Sequence, residues 1–436
     1  MRKRLLIITY YWPPAGGGGV QRWLKFTKYL RKYGYEPVIF TVKNAEYPVI
    51  DESLVSEIPT EIETHQTEIW EPYSIYKKFT GRKKGERVYS GFINENKKES
   101  FTQKVSVFIR GNFFIPDARK FWIKPAVNYL KKYLKENPVD AMVSTGPPHT
   151  THLIALGIKE KMNIPWVADF RDPWTHIDFY DQLKLTSWGD SIHKRLEKKV
   201  LDNADKVVTV SWSWGADFKS ICGREDIEII TNGFDAADFE GPKVELSEKF
   251  SICHIGSMNK DRNPVALWKV LNELLPEMPT LAERLEILLI GQVDFSILQA
   301  IESYGLTKYL NKVDFIPHQE VLPYLKKSQV LLLPINNTPN SKGVLPGKLY
   351  EYLGAQRPIL CIGPKESDAA TILQETGGQI HDYKDHAGLK KTVQQFFEAY
   401  KEGKLESDSQ SIAQFSRENL AAAYAKLLDG LLQLNT

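Results

Sequence analysis

Between Val330-Leu331-Leu332-Leu333-Pro334 and Pro358-Ile359-Leu360-Cys361-Ile362 the chain reads Gly343-Val344-Leu345-Pro346-Gly347-Lys348-Leu349-Tyr350-Glu351-Tyr352-Leu353-Gly354. Two short apolar runs flank a small-residue loop that opens a helical pattern, which predicts strand, loop, helix, strand. That alternation is the repeating unit of a parallel α/β sheet. The start of such a helix presents unpaired N–H groups and the positive end of the helix dipole, and so attracts anions. Lys348 adds a point charge suited to a phosphate. Glu351, one turn in, can accept hydrogen bonds from two vicinal hydroxyls. A phosphate beside a diol describes a nucleotide. The alternative is an ordinary helix with Lys and Glu on its solvated face.

The same alternation runs outward in both directions. Upstream, apolar runs at 250–255, 287–290 and 313–316 surround a helical pattern over 267–275. With 330–333 and 359–362 they make one α/β series. A separate series begins at the amino end. Residues 5–9 read as a buried strand, followed by the loop Pro13-Pro14-Ala15-Gly16-Gly17-Gly18-Gly19. Val20, Trp23, Leu24, Thr27 and Leu30 then recur at helical spacing, and Gly34 stops the helix. Further strands are predicted at 37–42, 141–144, 165–168 and 206–210, with Ile229-Ile230-Thr231-Asn232-Gly233 as the last element. The polar stretch 236–248 reads as a linker. The expected domains are 1–240 and 246–410, with 411–436 a helix packing back on the first.

Composition bounds the class. At 436 residues the chain is too long for one core. A formal net charge of +3 is too small to imply nucleic acid. Cys222, Cys253 and Cys361 are far apart with no metal-ligand spacing, and two of them sit in strand-like apolar runs as buried free thiols would, which suits a reducing cytoplasm. No apolar run is long enough to span a bilayer. The opening Arg2-Lys3-Arg4-Leu5-Leu6-Ile7-Ile8 reads as a first strand rather than a signal peptide. One insertion, about 76–122, departs from the α/β rhythm. Its basic residues (Lys77, Lys78, Arg82, Lys83, Lys84, Arg87, Lys97, Lys98, Lys104, Arg110) precede Phe113, Phe114, Phe121 and Trp122, and Phe108 lies among them. Basic residues beside exposed aromatics suit an anionic membrane surface. A solvated loop before a core helix is the plainer reading.

Several loops carry candidate chemistry. Gly16 to Gly19 sit where a dinucleotide fingerprint would, but Gln21 replaces its third Gly and the second strand supplies no acid for a ribose. The glycines instead let backbone N–H groups approach a diphosphate or the sugar on it. In Gly256-Ser257-Met258-Asn259-Lys260-Asp261-Arg262, Lys260 and Arg262 are candidates for a diphosphate, Arg262 the better one by its fork. Asp169, Arg171 and Asp172 follow one strand. His149, in Thr145-Gly146-Pro147-Pro148-His149, follows its neighbour, with His152 beyond. These suit sugar or acceptor contacts or acid/base work. Equally, Asp169 with Arg171 or Asp172 can be a local salt bridge. No Asp-x-Asp occurs and the His and Cys residues show no metal-ligand spacing, so no metal is expected; the missing P-loop excludes a P-loop kinase, and no Gly-x-Ser-x-Gly elbow occurs.

In residues 13–20, Ile230-Thr231-Asn232-Gly233-Phe234-Asp235, 255–264 and 347–360, the chain resembles glycosyltransferase family 4. The resemblance implies a GT-B-like fold: two Rossmann-like domains facing a central cleft, with a C-terminal helix crossing back. It implies a retaining, metal-independent enzyme using a nucleotide-diphosphate sugar. Glu351 matches the second Glu of the family's Glu-x7-Glu motif, which holds the ribose. The first falls on Gly343, so backbone groups of Val344 to Gly347 stand in for it. The family's phosphate-loop Arg falls on Ser257 and its Lys near Arg262, and Lys348 would supply the second charge. A His of the family is replaced by Arg171-Asp172. Arg262, Lys348, Asp172 and Arg171 are the expected catalytic group. Gly16, Gly17, Gly18, Gly19, His149, Ser257, Val344, Gly347 and Glu351 are expected to contact substrate. The expected function is transfer of a hexose to a glycan or lipid-linked hydroxyl acceptor in surface polysaccharide synthesis, at the cytoplasmic face of a membrane. The rivals are a nucleotide-sugar epimerase and a non-catalytic binding subunit of a glycan assembly.

Overall fold

A computed structural model of the chain describes residues 2–71, 101–242, 244–407 and 411–434. The chain forms two compact units, one of Met1–Thr231 with Arg417–Thr436, the other of Asn232–Ser416.

The first unit is built on β1 (Lys3–Ile8), β2 (Tyr35–Val42), β3 (Glu63–Thr67), β4 (Ala141–Gly146), β5 (Trp166–Phe170), β6 (Lys206–Thr209) and β7 (Ile227–Ile229). Their order is β3-β2-β1-β4-β5-β6-β7, every pair parallel. Successive residues of β1 enter opposite cores. Leu5 and Ile7 pack with Val20, Trp23 and Leu24 of helix α1 (Gly18–Leu30), while Leu6 and Ile8 pack with Trp122, Ala126 and Leu130. Burial on both faces is why central parallel strands read as unbroken apolar runs.

The C-terminal helix Arg417–Gln433 covers α1. Tyr424 lies edge-on to Trp23 with ring centroids 5.2 Å apart, and Ala421, Ala425 and Leu428 share its core.

The second unit is built on β8 (Phe250–Ile255), β9 (Leu285–Ile290), β10 (Leu310–Val313), β11 (Val330–Pro334), β12 (Ile359–Ile362) and β13 (Gln379–His381). Their order is β10-β9-β8-β11-β12-β13, again all parallel, with an apolar core on each face. Three details differ from the sequence reading. The strand placed at 313–316 lies earlier, at β10, and Phe315 is 72 % exposed beyond it; this edge strand carries polar residues, so an apolar-run criterion selects the wrong stretch. Residues 232–239 belong here rather than to the first unit. The Phe234 N–H donates to the Phe415 carbonyl at 3.1 Å, and a methyl on Gly354 would stand 2.5 Å from the Phe239 ring. The turn Ile412–Phe415 stays with them, so the final helix starts only at Arg417.

The basic-aromatic insertion divides. Lys77, Lys78, Arg82, Lys83, Lys84, Arg87, Lys97 and Lys98 lie outside the described residues. Trp122 is core, not surface: it stacks on Phe40 at 5.5 Å and donates to Thr67 Oγ1 at 2.7 Å. Phe108, Phe113 and Phe121 remain exposed. Among the described residues, no helix is long and apolar enough to cross a membrane.

Candidate functional site

In an open parallel sheet, ligands bind beyond the carboxyl ends of the strands where the strand order reverses. The first sheet reverses between β1 and β4, the second between β8 and β11. The predicted loops follow three of these four strands directly, and the fourth carries His149.

In the first unit, the Gly-rich stretch is only partly loop. Gly16 donates to the Val49 carbonyl at 3.0 Å, Gly17 caps α1 with φ 89°, and Gly18 and Gly19 are its first helical residues. No side chain caps this end and no acid lies in its first turn. A methyl on Gly17 or Gly18 would meet nothing within 4 Å, whereas one on Gly19 would stand 2.7 Å from Arg171 Nη1. Arg171, at the end of β5, is buried; its Nε donates to Thr145 Oγ1 at 3.1 Å and its Nη2 to the Pro147 carbonyl. Asp172 beside it is half-buried and has no hydrogen-bond partner among the described residues. Burial pushes its carboxyl above the ordinary range, against the pull of Arg171.

Asp169 is not paired with Arg171 or Asp172. It is fully buried and accepts from Arg22 Nη2 at 3.0 Å, Trp23 Nε1 at 2.7 Å and Thr145 Oγ1 at 3.0 Å. Arg22, also fully buried, extends to the carbonyls of Ile230 and Thr231 at 2.9 and 2.6 Å. This pair ties α1, β5 and the end of the unit together. It is structural.

His149 lies flat on Trp174, centroids 4.7 Å apart, and its Nδ1 is buried without a partner. Burial, then His152, His193 and Arg171, hold its pKa well below that of a free imidazole. His152 is a core residue: Nδ1 meets Ser144 Oγ at 2.8 Å, and burial drives its pKa to about 3. Both rings are neutral at physiological pH.

In the second unit, β8 ends at Gly256 with φ 98°, a backbone only glycine adopts freely. A methyl there would stand 2.8 Å from Lys348 Nζ, so the glycine also makes room for the lysine. Lys348 follows Gly347, which opens the helix Gly347–Ala355 behind Pro346 with no side-chain cap. Burial, then the charge of Arg262, lowers the Lys348 pKa to about 8, with Glu351 opposing. Arg262 is held from both switch loops: its Nε donates to Asn336 Oδ1 at 2.6 Å and its Nη1 to the Ser257 carbonyl at 3.1 Å. Ser257 thus orients Arg262 through its backbone, while its side chain is exposed. Glu351 lies one turn along the helix from Lys348, half-buried. The Val344 N–H is engaged by the Ser341 carbonyl at 3.2 Å. Asn259 Oδ1 and Thr338 Oγ1, in the same two loops, are buried without partners.

Sequence reasoning missed Asn336 and Tyr383, whose hydroxyl braces the Asn336 carbonyl at 2.8 Å. A polar pair, Asn336-Asn337, directly after the β11 apolar run was the available signal. A separate cavity of about 590 Å³, lined by Asn272, Glu273, Glu277, Lys308 and Tyr309, lies at the opposite end of this sheet and holds none of these groups.

The fold is shared widely. A sucrose-phosphate synthase from Thermosynechococcus elongatus superposes with TM-score 0.64 at 14% identity, covering 99% of this chain and 100% of that one. TarM of S. aureus, solved with fondaparinux, α-GlcNAc-glycerol and UDP, gives 0.58 at 12%, covering 99% of each. A Listeria monocytogenes protein assigned as a UDP-N-acetylglucosamine 2-epimerase gives 0.56 at 9%, covering 99% and 97%. Such identities establish the GT-B architecture alone, which transferases share with an epimerase. No curated protein matches the sequence. The model of Glycosyltransferase Family 4 matches residues 16–238, more than half of the chain. The chain belongs to that family and is a glycosyltransferase of the GT-B type.

Proposed function

We propose that the chain moves a hexose, with retention and without a metal, from a nucleotide-diphosphate sugar to a hydroxyl of a glycan or lipid-linked acceptor, in surface polysaccharide synthesis. The observation that carries this reading is the meeting of Lys348 and Arg262 at the switch of the second sheet, with Glu351 one turn beyond. Two cations at an uncapped helix start suit a diphosphate, and a carboxylate at that distance suits a ribose diol. As the bond to the anomeric carbon breaks, negative charge grows on the β-phosphate, and Arg262 and Lys348 stabilise it. The acceptor oxygen attacks from the leaving-group face, and the departing phosphate takes its proton. Asp172 and Arg171 position and polarise the acceptor, Gly16 to Gly19 let backbone approach the sugar, and neutral His149 is a hydrogen-bonding wall. Among the described residues no three His, Cys, Asp or Glu side chains gather as a metal site needs. UDP in the TarM structure supports a nucleotide donor.

Gly343, at the position of the family's first Glu, favours a second reading: a subunit that binds nucleotide sugar without turning it over. Calorimetric titration with UDP, GDP and ADP, with and without EDTA, beside Glu351→Ala, tests the donor site. Binding of one nucleotide that survives EDTA and weakens in the variant is expected. Binding to none sinks the transferase reading. Binding without turnover across acceptors leaves the second one.

A further inference from the structure

We infer that Glu197 is a positioning residue for the acceptor side of the reaction. From behind the segment that follows β5 it fixes Trp174 and Thr175, and through them Asp172 and the His149 ring. That Asp172 and His149 face the acceptor rests on the transferase reading; the clamp on the segment does not.

The segment has little structure of its own. The Arg171 N–H still donates to the Gly146 carbonyl at the end of β4, at 2.9 Å, and from Asp172 to Phe179 the chain is neither helix nor strand. Pro173 has no N–H. The next two N–H groups belong to Trp174 and Thr175, both buried, and buried N–H groups need partners. Both donate to Glu197 Oε1, at 3.1 and 3.3 Å, and the Thr175 hydroxyl donates to Oε2.

Glu197 lies on the helix Ser187–Asn203 and is fully buried. Burial pushes its carboxyl above the ordinary range, while the bonds from Thr175 and Trp174 and the charge of His176 hold it back. A carboxylate is costly to bury unless it is hydrogen-bonded. Every hydrogen bond this one makes goes to two consecutive residues of the segment. One turn earlier on the same helix face, His193 Nδ1 accepts from Trp174 Nε1 at 2.9 Å. That leaves His193 Nε2 to donate to the Gly111 carbonyl at 3.2 Å. The indole so held carries the His149 ring, 3° from parallel. Asp172 lies two residues before Trp174. Its carboxyl has no hydrogen-bond partner among the described residues, so its place is set by Pro173 and Trp174.

The test uses the full chain and four probes: UDP-glucose, UDP-N-acetylglucosamine, GDP-mannose and ADP-glucose. Water stands in for the acceptor. The bond from the anomeric carbon to the phosphate oxygen breaks, one to the water oxygen forms, and the water proton leaves with the diphosphate. Glu197→Met removes all three acceptor contacts at similar length. Glu197→Gln keeps them in kind: its oxygen takes both N–H groups and its amide donates to Thr175 Oγ1. Thr175→Val removes one bond only, and it decides the matter if Glu197→Met does not fold. Hydrolysis kcat is expected to fall at least ~10-fold in Glu197→Met, as misplacement of a positioning group does, to fall less in Thr175→Val, and to recover in Glu197→Gln. KM for the nucleotide sugar should not change. A second readout needs no turnover. The Asp172 carboxyl, which burial holds above the ordinary range, should titrate lower in Glu197→Met as water reaches it. Carboxyl 13C NMR follows it, with Asp172→Asn to assign the signal; Arg171 and Asp178, the charges acting on it, are present in every variant. An unmoved Asp172 titration, an unchanged kcat, or no recovery in Glu197→Gln overturns the inference. If the wild type hydrolyses none of the four, the titration alone decides. If it also binds no nucleotide, a shifted titration upholds the clamp while the transferase reading is removed.

Discussion

At the carboxyl end of β5, Asp169 accepts from Arg22, Trp23 and Thr145 with none of its surface in water. At the carboxyl end of β8, Lys348 leans on Gly256 beside Arg262, and the carboxylate acting on it is Glu351 of its own helix. Both are carboxyl ends of parallel strands, β8 beside the reversal of its sheet and β5 one strand beyond the reversal of its own. In the first unit one cation, Arg22, is committed to the fold. In the second, a lysine is held under electrostatic stress that an incoming anion would relieve. The difference separates residues that build a unit, fully buried, from residues that await a ligand, only partly so, although both sets are charged.

The largest expected effect breaks the structural side of that contrast. Asp169→Ala leaves Arg22 buried without a counter-charge and should cost about 3–5 kcal/mol in urea unfolding. A loss below about 1 kcal/mol, the size of an exposed pair, would show that Arg22–Asp169 does not hold the first unit. Next is Gly256→Ala. Its positive φ and the proximity of Lys348 Nζ predict about 1–3 kcal/mol of strain. Nucleotide affinity should fall ~10-fold or more as Lys348 is displaced. Unaltered nucleotide affinity would detach Lys348 from the diphosphate.

The smallest effect sharpens the ligand side. The Lys348 pKa falls from 10.5 to about 8 in the folded chain. The unfolded chain thus binds the proton more tightly, so this group makes stability rise between about pH 8 and 10.5. Nucleotide binding runs the other way. Below about pH 8 the ammonium is present before and after binding. Above it the free protein loses the proton, and affinity should drop by up to ~10-fold per pH unit. Calorimetry at pH 7, 8 and 9, beside Lys348→Met, should show a decline in the wild type that flattens in the variant; parallel profiles would remove Lys348 from the linkage.

Much of the scaffold was legible because buried parallel strands announce themselves. The runs at β8, β11 and β12 coincide with the observed strands almost residue for residue. Edge strands do not announce themselves. β3 reads Glu63-Thr64-His65-Gln66-Thr67 without one apolar residue, and its identity comes from its pairing with β2 and from Tyr129 against His65. In the candidate site, the spacing of Lys348 and Glu351 was visible, and so was the basic loop around Arg262. What holds them was not. Asn336 lies 74 residues from Arg262, and Arg22 lies 147 residues from Asp169. A local reading therefore left Asp169 between acceptor-side chemistry and a salt bridge with its neighbours. The family match, too, falls on residues 16–238 and not on the 347–360 stretch that looks most distinctive.

The helix Arg417–Gln433 has a consequence for how the protein is made. The first unit is drawn from both ends of the chain, with the second inserted whole between Thr231 and Arg417. Trp23 and Phe26 wait for Tyr424, about 400 residues later, to cover them. On the ribosome the order of completion is therefore reversed: the half synthesised second can finish folding first. The half synthesised first holds an aromatic face open until Arg417–Gln433 emerges.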